Sequence, residues 1–237
     1  MLNERPRCCP EKPHLKRHYD PYYTPPGTST NLRVQNEQGP LIEKYLQGLY
    51  QTICNAISEH PRTLASRFDL RFPSDYHLPV DCSANYYLKP FFESLRAKIN
   101  HEHNSARRQG KRNHATSVRY AWCREQDRSP HPHYHVLLLI NRDAYCSLGQ
   151  IDFNNRNLFT KITEAWSSAL KRPIESLEGI VDIGREKRTG GERLEWHLVP
   201  TDQYADLLNC FYYASYLCKS NTKDFNTPEH PFGTSRN

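Results

Sequence analysis

His133 and His135 stand two residues apart in the stretch HPHYHVLLLI. A strand sends alternate side chains to opposite faces, so both imidazoles project to one side. Two imidazoles fixed side by side can share one divalent ion. A third ligand is needed, and the preceding segment TSVRYAWCREQ offers Glu125. A hairpin joining the two segments would set Glu125 across from the histidines; Gln126 and Asp127 are the alternatives. Two imidazoles and a carboxylate, with no thiolate, suit Mg²⁺ or Mn²⁺ with open positions for phosphoryl chemistry, and zinc stays open. A second such pair, His101 and His103, falls in a predicted helix. Residues two apart there diverge by roughly 200°, so this pair reads as solvated surface.

The second chemical feature is CFYYASYLCKS. On a helix, Tyr212, Tyr216, Lys219 and Lys223 follow at spacings of four, three and four and share one face. A phenol is a poor nucleophile unless a cation or base assists it. Lys219, one turn after Tyr216, is placed to stabilise a phenolate or the phosphate under attack. Tyr216 is thus the candidate nucleophile, and Tyr212 on the same face is a candidate for a second attack. Such an attack leaves a 5′-phosphotyrosyl link and a free 3′-OH without consuming water. A third candidate group is basic: Arg107, Arg108, Lys111 and Arg112, at the end of a predicted helix, would contact DNA phosphates.

These groups need a scaffold. Helical spacing begins with Leu41, Ile42, Tyr45 and Leu46. Phe68, Leu70 and Phe72 alternate in a strand that Pro73 ends. Leu88, Phe91, Phe92, Leu95 and Ile99 mark a long amphipathic helix continuing to Arg112. Two hairpin strands follow, then a helix through Leu158, Ile162 and Trp166, two short strands in GIVDIG and LEWHLVP, and a last helix over 201–219 with Tyr204, Leu207, Leu208 and Phe211 buried. The order fits an α+β fold: an antiparallel sheet with helices packed on one face.

Residues 1–40 hold seven of the 17 prolines. They read as a disordered arm whose Arg5, Arg7, Lys16 and Arg17 could touch DNA, leaving 41–237 as the folded domain. The formal net charge of +6, from 32 basic and 26 acidic residues, permits a nucleic-acid partner without demanding one. Fifteen tyrosines offer stacking faces for unpaired bases. The stretch MLNERPRCCPEKPHLKRHYD lacks the apolar core of a signal peptide, and no run approaches a membrane span, so the expectation is a cytoplasmic protein with free thiols.

Together the residues resemble the HUH endonucleases, in which two histidines flank a hydrophobic residue on a central strand and a tyrosine helix lies nearby. More narrowly, RFDLRFP, WCREQD with HPHYHVLLLINRD, and FYYASYLCKS resemble the inovirus-type replication initiators of filamentous phages and prophages that carry the YagK/YfjJ C-terminal domain. The resemblance implies a five-stranded sheet of the RNA-recognition-motif type and rolling-circle initiation. It implies metal ligation by His133, His135 and Glu125, and attack by Tyr216 beside Lys219. With three tyrosines present, a one-tyrosine or two-tyrosine mechanism stays open. No P-loop pattern occurs, so unwinding would fall to a host helicase. An HUH transposase or relaxase, or a non-catalytic nucleic-acid-binding module on the same fold, are the alternatives.

Overall fold

The computed structural model describes residues 15–79, 83–126, 131–152, 155–177, 179–186, 191–199, 205–221, 223, 225 and 229–235. In chain order the strands and helices are β1 (Arg17–His18), β2 (Tyr22–Tyr23), β3 (Leu32–Arg33), β4 (Leu41–Ile42), α1 (Glu43–Glu59), β5 (Thr63–Leu70), α2 (Leu88–Arg108), β6 (Arg119–Glu125), β7 (His133–Asn141), α3 (Leu158–Leu170), β8 (Val181–Ile183), β9 (Glu195–Leu198), α4 (Ala205–Ala214) and β10 (Phe232–Thr234). The fold is α+β.

Its main sheet has six antiparallel strands, in the order β10-β6-β7-β5-β8, with β9 also paired to β5. Strands β8 and β9 share the outer edge of β5: β8 takes Phe68–Leu70 and β9 takes Thr63–Ser66. The expected five strands become six because β10 adds itself beside β6, pairing Phe232 with Cys123. Three residues are too short to show an alternating pattern.

Helices cover both faces of the sheet rather than the single face expected. Even-numbered residues of β7, Tyr134, Val136, Leu138 and Ile140, enter a core with α2 and α3 around Phe91 and Trp166. Odd-numbered Leu137 and Leu139 enter a second core with α1, α4 and the N-terminal strands, around Leu46, Ile53 and Phe211. The unbroken apolar run VLLLI has this cause: a strand covered on both sides needs apolar residues at both parities.

The N-terminal segment also differs from the disordered arm expected over 1–40. Residues 1–14, with Arg5 and Arg7, lie outside the described residues. From residue 15 the chain is built into the fold: β1 pairs β4, β2 pairs β3, and Tyr23, Leu32 and Val34 are buried. Prolines here shape turns between two-residue strands, and only a few apolar side chains anchor the segment. Composition alone therefore resembles that of a flexible arm.

Helix α2 stops at Arg108, short of the expected Arg112. Gly110 has φ +66, and the amides of Gly110 and Lys111 donate to the carbonyls of Arg107 and Ala106. This is a glycine-terminated C-cap. The final predicted helix also breaks: α4 ends at Ala214 and a 3₁₀ turn follows over Ser215–Cys218. Leu208 of its supposed buried stripe is 42% exposed, and Tyr204 lies outside the described residues. Cys54, Cys123, Cys146, Cys210 and Cys218 are free thiols; Cys8, Cys9 and Cys82 are outside the described residues. Among the described residues no helix is long and apolar enough to cross a membrane.

Candidate metal and tyrosine site

Strand register builds the site. Glu125 pairs directly with His133, and Cys123 with His135, across the β6–β7 hairpin. On the other side of β7, Asp69 pairs with His135 and Arg67 with Leu137. All of these odd-numbered side chains share one face of the sheet. One ligand atom each from Glu125, His133 and His135 lies within 4.8 Å of the others. The fallback Gln126 is exposed just past the end of β6, and Asp127 lies outside the described residues. The face is not open, as expected from one-sided packing; it is roofed by the tyrosine segment. His135 and Glu125 are buried, while His133 at the strand's start is half-buried.

His135 is oriented from behind. Its Nδ1 lies 2.5 Å from Asp69 Oδ1, and its Nε2 lies 3.3 Å from Glu125 Oε2. An Nδ1–H donated to Asp69 fixes the orientation of the ring and turns its Nε2 toward Glu125. Burial opposes ionisation of both carboxyls, but the hydrogen bond and charge of His135 outweigh it. Asp69 is held below its ordinary range, and Glu125, with Lys223 and Lys219 also near, is held far below. Burial, and next the charge of His135, push His133 down, which favours neutral imidazole.

Tyr216 sits over this group. Its hydroxyl donates to Glu125 Oε2 at 3.4 Å, and its ring meets that of His135 edge-on at 5.2 Å between centroids. Two cations lie over the same ring: Lys219 Nζ at 3.5 Å and the Arg67 guanidinium at 4.5 Å from the centroid. Lys223 Nζ stands 4.0 Å from Glu125 Oε1. Burial and the nearby Glu125 push the Tyr216 phenol up, with Arg67 opposing. Burial pushes the Lys219 ammonium down to about 8, against the pull of Glu125 and with the repulsion of Lys223.

Tyr212 does not join the cluster, although a continuous helix would have put it there. Its hydroxyl donates to Glu37 at 3.2 Å and its ring lies under Arg33. The physical reason is the 3₁₀ turn. It advances 120° per residue instead of 100°, so Tyr212 and Tyr216 stand roughly 80° apart rather than 40°. Tyr213 turns away too, donating to Glu186 and stacking on Trp196. The turn is strapped by the N-terminal segment. Gln35 N–H donates to Ser215 Oγ, Ser220 N–H to Pro40 O, and Lys219 Nζ to Gln38 Oε1.

The basic group is elsewhere. Arg107, Arg108, Lys111 and Arg112 are all exposed, at the C-terminal end of α2 and in the loop after it. That loop meets the far end of β7, where Asn141 bonds Thr116 and Ala115. Asn141 is eight residues along the strand from His133, about 26 Å away. Helix α2 also lies on the opposite face of the sheet.

Asp69 and Arg67 escaped the sequence reading, and Lys223, placed on the tyrosine face, was given no role there. The first two lie in RFDLRFP, where alternation with Phe68 and Leu70 marks Arg67 and Asp69 as one face. What the pattern did not reveal is that β5, not only β6, neighbours the histidine strand.

The comparisons with known proteins agree in one direction. The family profile of the YagK/YfjJ C-terminal domain matches residues 26–235. The uncharacterized protein YfjJ of Escherichia coli (strain K12) is 31% identical over 215 residues, covering 86% of this chain and all of that protein. The uncharacterized protein YagK of the same strain is 33% identical over 152 residues, covering 62% of this chain and 73% of its own length. No solved structure matches significantly. With nearly its whole described length matched, from the N-terminal strap through the histidine strand to the last strand, the chain belongs to the YagK/YfjJ C-terminal domain family.

Proposed function

We propose that this protein nicks and rejoins single-stranded DNA through a phosphotyrosine link, as a replication initiator of the HUH endonuclease type. The supporting observation is the convergence of Glu125, His133 and His135 within 4.8 Å, with the Tyr216 hydroxyl 3.4 Å from Glu125 Oε2. The donor set fits a hard divalent ion. Glu125 is kept ionised, His133 is kept neutral, and the buried His135 points its Nε2 at Glu125 Oε2, 3.3 Å away. A divalent ion between the two would take the place of the imidazole proton and be shared by nitrogen and carboxylate. When bound, Mg²⁺ or Mn²⁺ would polarise a phosphate and offset its charge.

The chain's own residues supply the rest. Asp69 holds the His135 ring in its orientation. The Tyr216 phenol loses its proton and its oxygen attacks phosphorus. The P–O3′ bond breaks and the departing 3′ oxygen takes up a proton. The phosphodiester energy stays in the tyrosyl link, and attack by a 3′-OH reverses the step. Arg67 and Lys219 lie over the ring and stabilise the phenolate that the buried site otherwise resists. Tyr212, held by Glu37, takes no part in the first cleavage, which favours one tyrosine per site. Single-stranded DNA is the substrate, and a host helicase supplies the unwinding.

The test is cleavage of a labelled single-stranded pool with Mn²⁺ and with EDTA. Cleavage is expected only with the metal; equal cleavage in EDTA would refute the reading. A pH profile refines it. The nicking rate should rise with pH as the phenol ionises, then fall above about 8 as Lys219 loses its charge. Lys219→Arg keeps a positive charge at all these pH values. Its alkaline limb should therefore move up; an unmoved limb would show that Lys219 does not set it.

A further inference from the structure

A cavity of about 430 Å³ opens at the end of the molecule away from the tyrosine site. It lies between the C-terminal half of α2, the loops over 111–116 and 144–149, and the start of α3. Its volume is in the range of small-molecule sites and exceeds what a lone phosphate fills.

The chemistry of its wall is two-sided. Lys111, Arg112 and Arg156 line it, are exposed, and make no ion pair among the described residues. The one carboxylate in the wall, Glu102, is already engaged: it pairs with Lys161 at 3.0 Å and accepts the Tyr145 hydroxyl. The pocket is therefore left positive. The rings of His103 and Tyr145 also line it, over Ile99 and Leu158. Cations beside flat rings match a ligand that is anionic at one end and planar at the other.

We propose that this cavity binds a nucleoside 5′-phosphate unit, its phosphate on Lys111, Arg112 and Arg156 and its base against Tyr145 and His103. The unit is either a free nucleotide or one residue of a DNA strand. The inference is independent of the nicking reading, because it concerns binding at a site about 26 Å from the histidines and needs no metal.

The experiment uses the full chain in EDTA. Deoxyadenosine 5′-monophosphate is titrated by calorimetry, and a fluorescein-labelled single-stranded dodecamer by anisotropy. Ala106→Phe fills the cavity from α2 without altering charge; Ala106→Met is the milder filler should Phe lower the melting temperature. Arg112→Gln/Arg156→Gln removes two cations and keeps the space. Both kinds of variant should weaken binding at least tenfold. Weakening for both ligands identifies a site open to free nucleotides; weakening for the dodecamer alone identifies the DNA strand as the source. The proposal is overturned if neither ligand binds, if the filled variants bind as wild type while only the charge variant weakens, or if inorganic phosphate displaces the mononucleotide as effectively as the nucleotide itself.

Discussion

Tyr216→Phe is expected to lower single-strand nicking by at least about 10³-fold and to remove the covalent protein–DNA product, because a ring without its oxygen has no nucleophile. The fold should survive. The lost hydrogen bond, to Glu125 at 3.4 Å, is long and worth at most about 1 kcal/mol. The phenyl ring keeps its contacts with His135, Arg67 and Lys219. Tyr212→Phe should leave the first nick within about twofold of wild type, since its hydroxyl is spent on Glu37. Single-turnover rates on one cleavable strand separate the two. A Tyr216→Phe variant that still forms the adduct would transfer the role to another residue.

The proposed metal ligands carry the second large effect. An ion that binds only the folded chain stabilises it by about 2.7 kcal/mol at a free concentration 100 times its dissociation constant. For a chain of this size that raises the melting temperature by about 5–10 °C. His135→Ala should abolish the Mn²⁺-dependent rise and reduce nicking to background. His133→Ala, at a less buried position, should do the same and guards against misfolding of the first variant. Asp69→Asn keeps every ligand but loosens the His135 ring, so metal affinity should fall about 10–100-fold while saturation still restores the shift. Differential scanning fluorimetry across a Mn²⁺ series measures all three. An undiminished rise in both histidine variants would place the ion elsewhere.

The sheet and the convergence of Glu125, His133 and His135 were legible in the sequence for a definite reason. Strand alternation is strict, so His133 and His135 share a face, and a short hairpin fixes Glu125 opposite His133. Both follow from local chain geometry. What was hidden depends on contacts between distant segments. Asp69 and Arg67 reach the site because β5 is the other neighbour of β7, which no local pattern specifies. Tyr212 was misplaced because α4 gives way to a 3₁₀ turn at Ser215. That turn is held by Gln35, Gln38 and Pro40, from a segment whose proline content hides its burial. The second layer of helices was foreshadowed by the unbroken VLLLI run, since a strand with one wet face would alternate. The basic residues read as DNA contacts are exposed, but the sequence held no sign that they lie at the opposite end from the histidines.

The most direct test of the central claim is to locate a covalent bond. The protein would be incubated with a pool of single-stranded DNA and Mn²⁺, denatured, digested with nuclease and protease, and the nucleotide-bearing peptide sequenced by mass spectrometry. A phosphonucleotide on Tyr216, absent in EDTA and absent from His135→Ala, is the result predicted. Cleaved DNA with no adduct, an adduct on Tyr212 or Tyr213, or no adduct above that of Tyr216→Phe would contradict it.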